Sequence, residues 1–381
     1  MKEYDLIATA TFGLEGIVKK ELKALGYHDL KVQNGKVEFK GTAKDICRSN
    51  IWLRCADRVL LKVGEFKATS FDELFEKTKA LPWSDIIPQD GNFPVAKVSS
   101  VKSLLFSKSD SQAIVKKAIV ESMKKDYDEE WFNEDGALYS IRIKILNDIV
   151  TLAIDTSGNG LHRRGYRAKG NIAPIKETLA AALVKLSGWR ADQPLLDPMC
   201  GTGTILIEAG MIAKNIAPGS NRKFISEEWD IIAENDWVDA RDEAYSKEIE
   251  DVECLIMGSD QDQGALDIAK ENIALAGLED MITLNKVDAT KLIPQKNRGK
   301  IITNPPYGDR ISTKRKVEQL YTDLGMGYKR HFQGWDFFVI TPNEDFEKLF
   351  GGKSQKNRKL YNGRIKCYFY QYNGRTIPMK K

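Results

Sequence analysis

The chain has 381 residues and a net charge of +4, a length that predicts two or three domains and a charge that permits a nucleic-acid partner without requiring one. No run of about 20 apolar residues is present and the first residues are not a signal peptide, which excludes a membrane span and predicts a cytoplasmic protein. The 5 cysteines and 3 histidines lack the spacing of a disulfide framework or a zinc site, so we expect no metal.

The first 66 residues alternate in the order β-α-β-β-α-β, which is that of a small ferredoxin-like domain. Asn34-Gly35 between two short apolar runs predicts a hairpin with a type I′ turn. In chain order, strands are predicted at 4–11, 30–33, 36–40 and 58–66, and helices at 13–25 and 43–53.

Residues 67–157 predict a second α+β unit. Its elements are a helix over 70–81 that Pro82 stops, a strand over 94–101, a helix that Ser109 or Asp110 caps and that runs to about 125, and a hairpin of 138–145 and 149–154 around Asn147-Asp148. The unit is rich in lysine, and the candidate RNA contacts are Lys97, Lys102 and Lys108. A solvated helix face would give the same pattern, because nearby acidic residues nearly balance the lysines.

The segment 155–173 is rich in glycine and basic residues. It predicts a linker whose candidate RNA contacts are Arg163, Arg164, Tyr166 and Arg167, since guanidinium groups grip phosphates and an aromatic ring stacks on a base. A plain hinge between domains is the alternative. A helix is predicted over 174–186, with Pro174 at its start.

The stretch 195–208 reads as a buried strand ending on Asp197, a tight Gly201-x-Gly203 turn and an apolar helix. Glycines at such a turn let a ligand approach the backbone closely. The third glycine of the dinucleotide motif and the lysine of a phosphate-binding loop are absent, although a dinucleotide enzyme or a purely structural turn stays possible. The acid ahead of the glycines favours a ligand with positive charge, such as the amino group of S-adenosylmethionine.

The rest of the chain predicts a Rossmann-like, doubly wound α/β sheet. An acidic segment at about 217–253 is expected as an insertion on the face of that sheet. Strands are predicted at 255–259, 282–286, 300–303 and 335–341, helices at 264–276 and 317–328, and a closing antiparallel hairpin over 358–372 that turns at Asn362-Gly363.

Acidic residues follow successive strands of this sheet, at Asp197, Asp260, Asp288 and Asp309. In a doubly wound sheet these strand ends converge on one crevice. Asp260 then lies where ribose hydroxyls are held, and Asp288 with Ala289 can address an adenine edge. A single acid at a strand end is often only a helix cap, so the ordered series carries the prediction.

Asn304-Pro305-Pro306-Tyr307 is the most specific motif. Two prolines fix the backbone and remove two amide donors. The Asn304 side-chain oxygen and the Pro305 carbonyl can then accept both hydrogens of an exocyclic amine, and Tyr307 can stack on a base that has left its own stack. The motif therefore predicts methylation of an amine by positioning and electrostatics.

These residues resemble a known family. DPMCGTGTILIEA and NPPYGDR resemble class I S-adenosylmethionine-dependent methyltransferases that modify exocyclic amines. Further stretches are similar to the THUMP-domain methyltransferases, in particular the bacterial 23S rRNA guanine-N2 methyltransferases: FPVAKVSSVKSLLFSKSDSQAIVKKAI, DTSGNGLHRRGYR, APIKETLAAAL and RKLYNGRIKCYFYQY.

The resemblance implies three domains: ferredoxin-like over 1–66, an RNA-binding THUMP domain over 67–157 and a Rossmann-like methyltransferase domain over 158–381. It places the catalytic motif on Asn304, Pro305, Pro306 and Tyr307. The candidate cofactor-binding residues are Asp197, Pro198, Met199, Cys200, Gly201, Thr202, Gly203, Thr204, Asp260, Asp288, Ala289 and Asn304. Some members carry a second methyltransferase domain after the first; the chain ends at Lys381, so we expect any second activity to be absent.

The main hypothesis is N2-methylation of a guanosine in 23S rRNA with S-adenosylmethionine, on naked RNA or a ribosome assembly intermediate. Three alternatives remain: guanine-N2 methylation of tRNA, N6-adenine methylation of DNA, and a ribosome-assembly factor that binds RNA without catalysis. The THUMP-like half disfavours DNA, and the intact motif residues disfavour loss of catalysis.

Overall fold

The computed structural model describes residues 2–167, 175–308 and 311–374. The chain divides into two compact units. The N-terminal unit comprises Met1–Ala10, Val18–Leu161 and Arg222–Ala244, and the C-terminal unit comprises Thr11–Ile17, His162–Asn221 and Tyr245–Lys381. Within the described ranges, no helix combines the length and apolar character needed to cross a membrane.

The N-terminal unit is built on one seven-stranded sheet in the order β2-β3-β1-β4-β7-β6-β5. Its elements are β1 (Tyr4–Thr9), α1 (Glu15–Ala24), β2 (Lys31–Gln33), β3 (Lys36–Gly41), α2 (Ala43–Trp52), β4 (Arg58–Lys67), α3 (Phe71–Lys79), β5 (Val95–Val101), α4 (Lys108–Tyr127), β6 (Ile141–Leu146) and β7 (Ile149–Asp155). The predicted β-α-β-β-α-β order is confirmed. Antiparallel pairing of β4 with β7 joins the two α+β parts into a continuous sheet.

The predicted hairpin around Asn34-Gly35 is confirmed by the antiparallel pairing of β2 with β3. Its turn type and the predicted start of α4 are wrong. A type I′ turn needs positive φ at both central residues. Of the pair Asn34-Gly35 only Gly35 has positive φ, at +78°, whereas Asn147 (+50°) and Asp148 (+62°) meet the requirement. Helix α4 begins earlier than predicted, because the Ser107 side chain accepts a hydrogen bond from the Asp110 amide and caps it.

The acidic segment was predicted as an insertion in the methyltransferase sheet domain, but its residues 222–244 belong to the N-terminal compact unit. It contains a short 3₁₀ helix (Ile225–Glu228) and most of α7 (Glu234–Ser246). The Trp229 ring stacks on Tyr139 with 4.7 Å between centroids. Glu243 forms a bidentate ion pair with Arg48 at 2.7 and 2.9 Å. Buried aromatic surface and paired charge thus explain where this segment packs.

The C-terminal unit has a second seven-stranded sheet in the order β10-β9-β8-β11-β12-β14-β13. Its elements are α5 (Glu177–Ser187), β8 (Leu195–Asp197), α6 (Thr204–Ala213), β9 (Ile256–Asp260), α8 (Gln263–Leu275), β10 (Ile282–Lys286), β11 (Gly299–Thr303), α9 (Ile311–His331), β12 (Trp335–Thr341), α10 (Phe346–Phe350), β13 (Lys356–Asn362) and β14 (Ile365–Tyr372). The first five strands are parallel, and the closing hairpin is antiparallel as predicted.

The strand order reverses at β8, whose neighbours are β9 and β11. This is the topological switch point at which a doubly wound sheet binds ligands. Helix α9 begins at Ile311, before the predicted 317, and α5 begins at Glu177, whereas Pro174 lies outside the described residues. The switch point places the ends of β8, β9 and β11 side by side.

Candidate active site

The glycine turn follows β8 directly and leaves its backbone open. Gly201 and Gly203 adopt φ of +52° and +81°, which favours glycine over residues with a Cβ. Apart from Gly201 and its two chain neighbours, no heavy atom of the described residues lies within 4 Å of the position where a Cβ would stand on Gly201. The Cys200 amide donates to the Ser259 carbonyl at 2.9 Å, so the turn is anchored to β9. A ligand can therefore approach the main chain at Gly201 closely.

Asp197 ends β8 and is buried, with 2% of its surface exposed. Its Oδ1 accepts hydrogen bonds from the Thr303 hydroxyl at 2.7 Å and the Met199 amide at 3.2 Å. Burial raises the pKa of this carboxyl to about 7, although both hydrogen bonds work to lower it. Because Thr303 is the last residue of β11, Asp197 ties the glycine turn to the strand that leads into Asn304.

Asp260 and Asp288 stand next to this turn along the same edge. The Asp260 Oδ2 accepts from the Gly201 amide at 2.9 Å. Asp288 caps a short 3₁₀ helix, where the Thr290 amide (2.9 Å) and hydroxyl (2.8 Å) donate to its Oδ1 and lower its pKa. Asp288 comes shortly after β10, and the Val287 amide just before it donates to the Asp260 carbonyl at the end of β9. The structure thus places Asp197, Gly201, Asp260 and Asp288 along one edge; Asp309 lies outside the described residues.

Asn304-Pro305-Pro306-Tyr307 follows β11, beside the switch point. The Tyr307 hydroxyl donates to the Asn304 Oδ1 at 2.7 Å. The Pro306 carbonyl accepts from the Tyr321 hydroxyl at 3.1 Å, which holds the loop against α9. Asn304 and Tyr307 are half-buried, and burial raises the pKa of Tyr307 far above its usual value. The Asn304 Oδ1 therefore already accepts a hydrogen bond from the protein's own Tyr307, whereas the motif predicts an acceptor left free for an amine.

The prediction that Arg164 and Tyr166 contact RNA is wrong, because both are buried. The Arg164 guanidinium lies 3.3 Å from Glu208 on α6, with 1% and 0% of the two side chains exposed. The Tyr166 hydroxyl donates to the same carboxylate at 3.1 Å. Burial alone would lower the pKa of Arg164, but the charge and hydrogen bond of Glu208, together with Tyr166 and Glu177, outweigh it and the pKa is raised. The missed signal is Glu208 itself, a single acid in an otherwise apolar helix, since a buried carboxylate requires a partner.

Arg167 supports the helix that follows the glycine turn. Its Nε lies 2.6 Å from a Glu177 carboxylate oxygen, and its Nη2 donates to the Ile175 carbonyl at 2.8 Å and to the Thr204 hydroxyl at 3.4 Å. Thr204 is the first residue of α6. Arg167 therefore stabilises the start of α6 just after the glycine turn, whereas Arg163 is exposed.

The lysines predicted as RNA contacts lie on the surface of the N-terminal unit. Lys97, Lys102 and Lys108 are all exposed. Sequence reasoning missed the apolar residues between the last two: Leu104 is 64% exposed and Phe106 is 81% exposed. An apolar pair inside a Ser- and Lys-rich stretch is the signal that could have found them.

A doubly wound sheet with an open glycine turn, a row of strand-end acids and Asn-Pro-Pro-Tyr at its switch point defines a class I methyltransferase domain. Family models agree: residues 164–371 match the RMKL-like methyltransferase domain, 5–60 the RlmL ferredoxin-like domain and 68–155 the THUMP domain. The chain belongs to the RMKL-like methyltransferase family.

Individual relatives are similar along most of the chain. YpsC of Bacillus subtilis (strain 168), provisionally named an RNA methyltransferase, is 48% identical over 100% of this chain and 99% of the relative. The ribosomal RNA large subunit methyltransferase K/L of Psychromonas ingrahamii is 34% identical over 94% of this chain, which spans 49% of that longer protein.

Two solved structures are similar over their whole length. One, from Listeria monocytogenes, is described as a predicted N6-adenine-specific DNA methylase; it is 51% identical, with a TM-score of 0.93 over 98% of this chain and 97% of that one. SMU.472, described as a methyltransferase in complex with SAH, is 42% identical, with a TM-score of 0.92 over 99% and 100%.

Proposed function

We propose that the protein transfers a methyl group from S-adenosylmethionine to the exocyclic N2 amine of a guanosine in RNA, with 23S rRNA as the substrate. The observation that carries the proposal is the Asn304 oxygen at the switch point, which accepts a donor at 2.7 Å beside the open glycine turn. An exocyclic amine is a donor of the same kind, so the loop is built to receive one.

The residues beside the glycine turn fit S-adenosylmethionine, whose sulfonium supplies an electrophilic methyl group when bound. The open backbone at Gly201 gives room for the methionine part. Asp260 follows β9, where ribose hydroxyls are held in doubly wound sheets. Asp288 with Ala289 would hold the adenine of a bound cofactor, since the bonds from Thr290 lower the pKa of Asp288 and favour a carboxylate that can accept from an amine.

The loop 304–307, which we call the acceptor loop, would bind and orient the substrate amine. The Asn304 Oδ1 and the Pro305 carbonyl accept the two amine hydrogens, so the nitrogen lone pair leaves conjugation with the ring and faces the methyl group. A bound S-adenosylmethionine would supply the methyl group: the new C–N bond would form as the C–S bond broke, and the nitrogen would then release one proton to solvent. Tyr307 stacks on the extruded base. Positioning and electrostatics carry the catalysis, without a strong general base.

RNA as the substrate is supported by the THUMP match and by the names of the two curated relatives. Lys97, Lys102 and Lys108 contact phosphates, and Phe106 adds a stacking surface for an unpaired base. Arg163 is an additional phosphate contact. Naked rRNA and a ribosome assembly intermediate both present such unpaired segments.

N6-adenine methylation of DNA is the second candidate, because the Listeria structure is described in those terms and the same motif can bind that amine. tRNA is the remaining RNA alternative.

The test uses the purified protein, S-adenosylmethionine with a labelled methyl group, and separated unmodified rRNA, tRNA and DNA. Each is digested to nucleosides and analysed by mass spectrometry. We expect labelled N2-methylguanosine in the large rRNA. The same nucleoside in tRNA would identify tRNA as the substrate, and labelled N6-methyl-2′-deoxyadenosine from DNA would overturn the proposal.

If naked nucleic acids remain unlabelled, the same assay is repeated on large-subunit precursors isolated from a deletion strain. Absence of label there as well would favour the non-catalytic assembly factor.

A further inference from the structure

The Tyr307 hydroxyl stands in the middle of a chain of three polar side chains. It donates to the Asn304 Oδ1 at 2.7 Å. Its oxygen accepts from the Asn362 side-chain amide at 3.3 Å, across 55 residues of sequence. The Cys367 Sγ lies 3.7 Å from the same oxygen. Asn362 is the last residue of β13, so the closing hairpin of the sheet reaches the acceptor loop.

The hydrogen bonds that link Asn362, Tyr307 and Asn304 run in one direction. A tyrosine hydroxyl has one proton, and an amide N–H can only donate. Once Asn362 donates to the Tyr307 oxygen, the hydroxyl proton points to Asn304. The proton stays in place at any working pH, because burial keeps the pKa of Tyr307 far above its usual value.

This direction determines which end of the Asn304 amide faces the loop. A carbonyl oxygen accepts two hydrogen bonds. Tyr307 takes one of them, which leaves the second for a substrate amine. If the amide were reversed, its NH₂ group would face both the Tyr307 proton and the substrate amine, donor against donor.

We infer that Asn362 is a positioning residue for methyl transfer: through the Tyr307 hydroxyl it holds the Asn304 side chain with its oxygen toward the substrate. This inference rests on the proposed amine methylation, and Asn362 itself contacts no reacting atom. The bond to Asn362 also anchors Tyr307 at its hydroxyl end, which keeps the ring in place to stack on the base.

The first test is a double-mutant cycle on kcat with Tyr307→Phe, Asn362→Ala and the double variant. Each single change removes a link of the same chain, so each should lower kcat about tenfold while the Kd for S-adenosylmethionine is unchanged. The double variant should be no slower than the slower single variant, because the two changes are not independent. Additive losses would overturn the inference.

Asn362→Asp tests the hydrogen bond donated by Asn362 without changing the size of the side chain. The carboxylate has nearly the same size but cannot donate, and it would draw the hydroxyl proton away from Asn304. We expect kcat at or below that of Asn362→Ala; wild-type kcat would contradict the inference. Tyr368→Phe is the matched control, since it removes a hydroxyl of the same hairpin that donates to the exposed Glu344 at 3.1 Å. It should retain wild-type kcat.

A readout without catalysis completes the test. In protein labelled with ¹⁵N-asparagine, the side-chain amide signals of Asn304 should shift in Asn362→Ala. They should not shift further when Asn362→Ala is added to Tyr307→Phe. Unchanged Asn304 signals in the single variant would overturn the inference even if no transfer were seen. A different methylated base in the wild type would instead overturn only the proposed function.

Discussion

Two stretches of this chain have similar composition and opposite surroundings. The linker segment 163–167 and the loop 102–108 both combine basic residues with one aromatic side chain. In the linker, Arg164 and Tyr166 are buried against Glu208. In the loop, Lys102 and Lys108 are exposed around an exposed Phe106. What separates them is Glu208 on α6, whose buried carboxylate is a partner for Arg164 and Tyr166 in the linker.

The largest expected effect comes from breaking the buried pair. Glu208→Gln leaves the Arg164 guanidinium buried without its countercharge, which should cost about 3–5 kcal/mol of stability. Chemical denaturation measures the loss. Glu271→Gln, an exposed glutamate on α8, is the control and should stay within about 0.5 kcal/mol of wild type. A Glu208→Gln variant as stable as this control would mean that the pair contributes nothing, and the comparison would fail.

A second buried acid, Asp197, should make the stability of the protein depend on pH. Asp197 has a pKa of about 7 in the folded protein against 3.8 for an unperturbed carboxyl, because burial disfavours its charge. The folded state therefore holds a proton that the unfolded chain has lost. Its stabilising contribution is complete below pH 3.8 and is lost as pH rises through 7, by about 1.4 kcal/mol per unit in between.

Urea titrations at pH 5, 6, 7 and 8 measure this slope. Asp197→Asn removes the titrating group and should be less pH-dependent than wild type between pH 5 and 7 by the amount given. Identical slopes in the two proteins would show that Asp197 does not titrate in this window.

The smallest effect concerns the exposed loop and leaves stability untouched. Phe106→Ala should weaken RNA binding about tenfold, as expected for one lost base–aromatic stack. Trp131→Ala is the matched control: Trp131 is 79% exposed but follows Glu129 and Glu130 instead of lysines. Fluorescence anisotropy with a labelled single-stranded RNA measures both. Equal losses would mean that exposure alone, without neighbouring positive charge, makes an RNA contact.

Local patterns predicted most of the fold. The strands over 282–286 and 335–341 were predicted at their observed bounds. The second is a mostly apolar, buried run, whereas in the first only Ile282 is buried. The first residue of α9 could not be predicted, since the apolar periodicity begins only after the first turn of the helix. The packing of 222–244 on the N-terminal unit depends on partners such as Tyr139, far away in sequence, and no local pattern records it.

The candidate site also combines features that the sequence predicts with contacts that it does not. The glycine turn and the strand-end acids are local features, and their place along one edge follows from the topology of the sheet. The contact between Tyr307 and Asn362 joins residues 55 apart, and Asn362-Gly363 by itself indicates only a hairpin turn. The burial of Arg164 depends likewise on Glu208, 44 residues away.

The most direct test of the account is Asn304→Ala, assayed for methyl transfer and for binding of S-adenosylmethionine by calorimetry on the same preparation. We expect labelled N2-methylguanosine in the large rRNA to disappear while the Kd for the cofactor remains within about twofold, since one neutral hydrogen-bonding side chain contributes little to the binding of so large a ligand. Transfer at the wild-type rate with bound cofactor would contradict the role of Asn304, and with it the claim that this loop receives the amine.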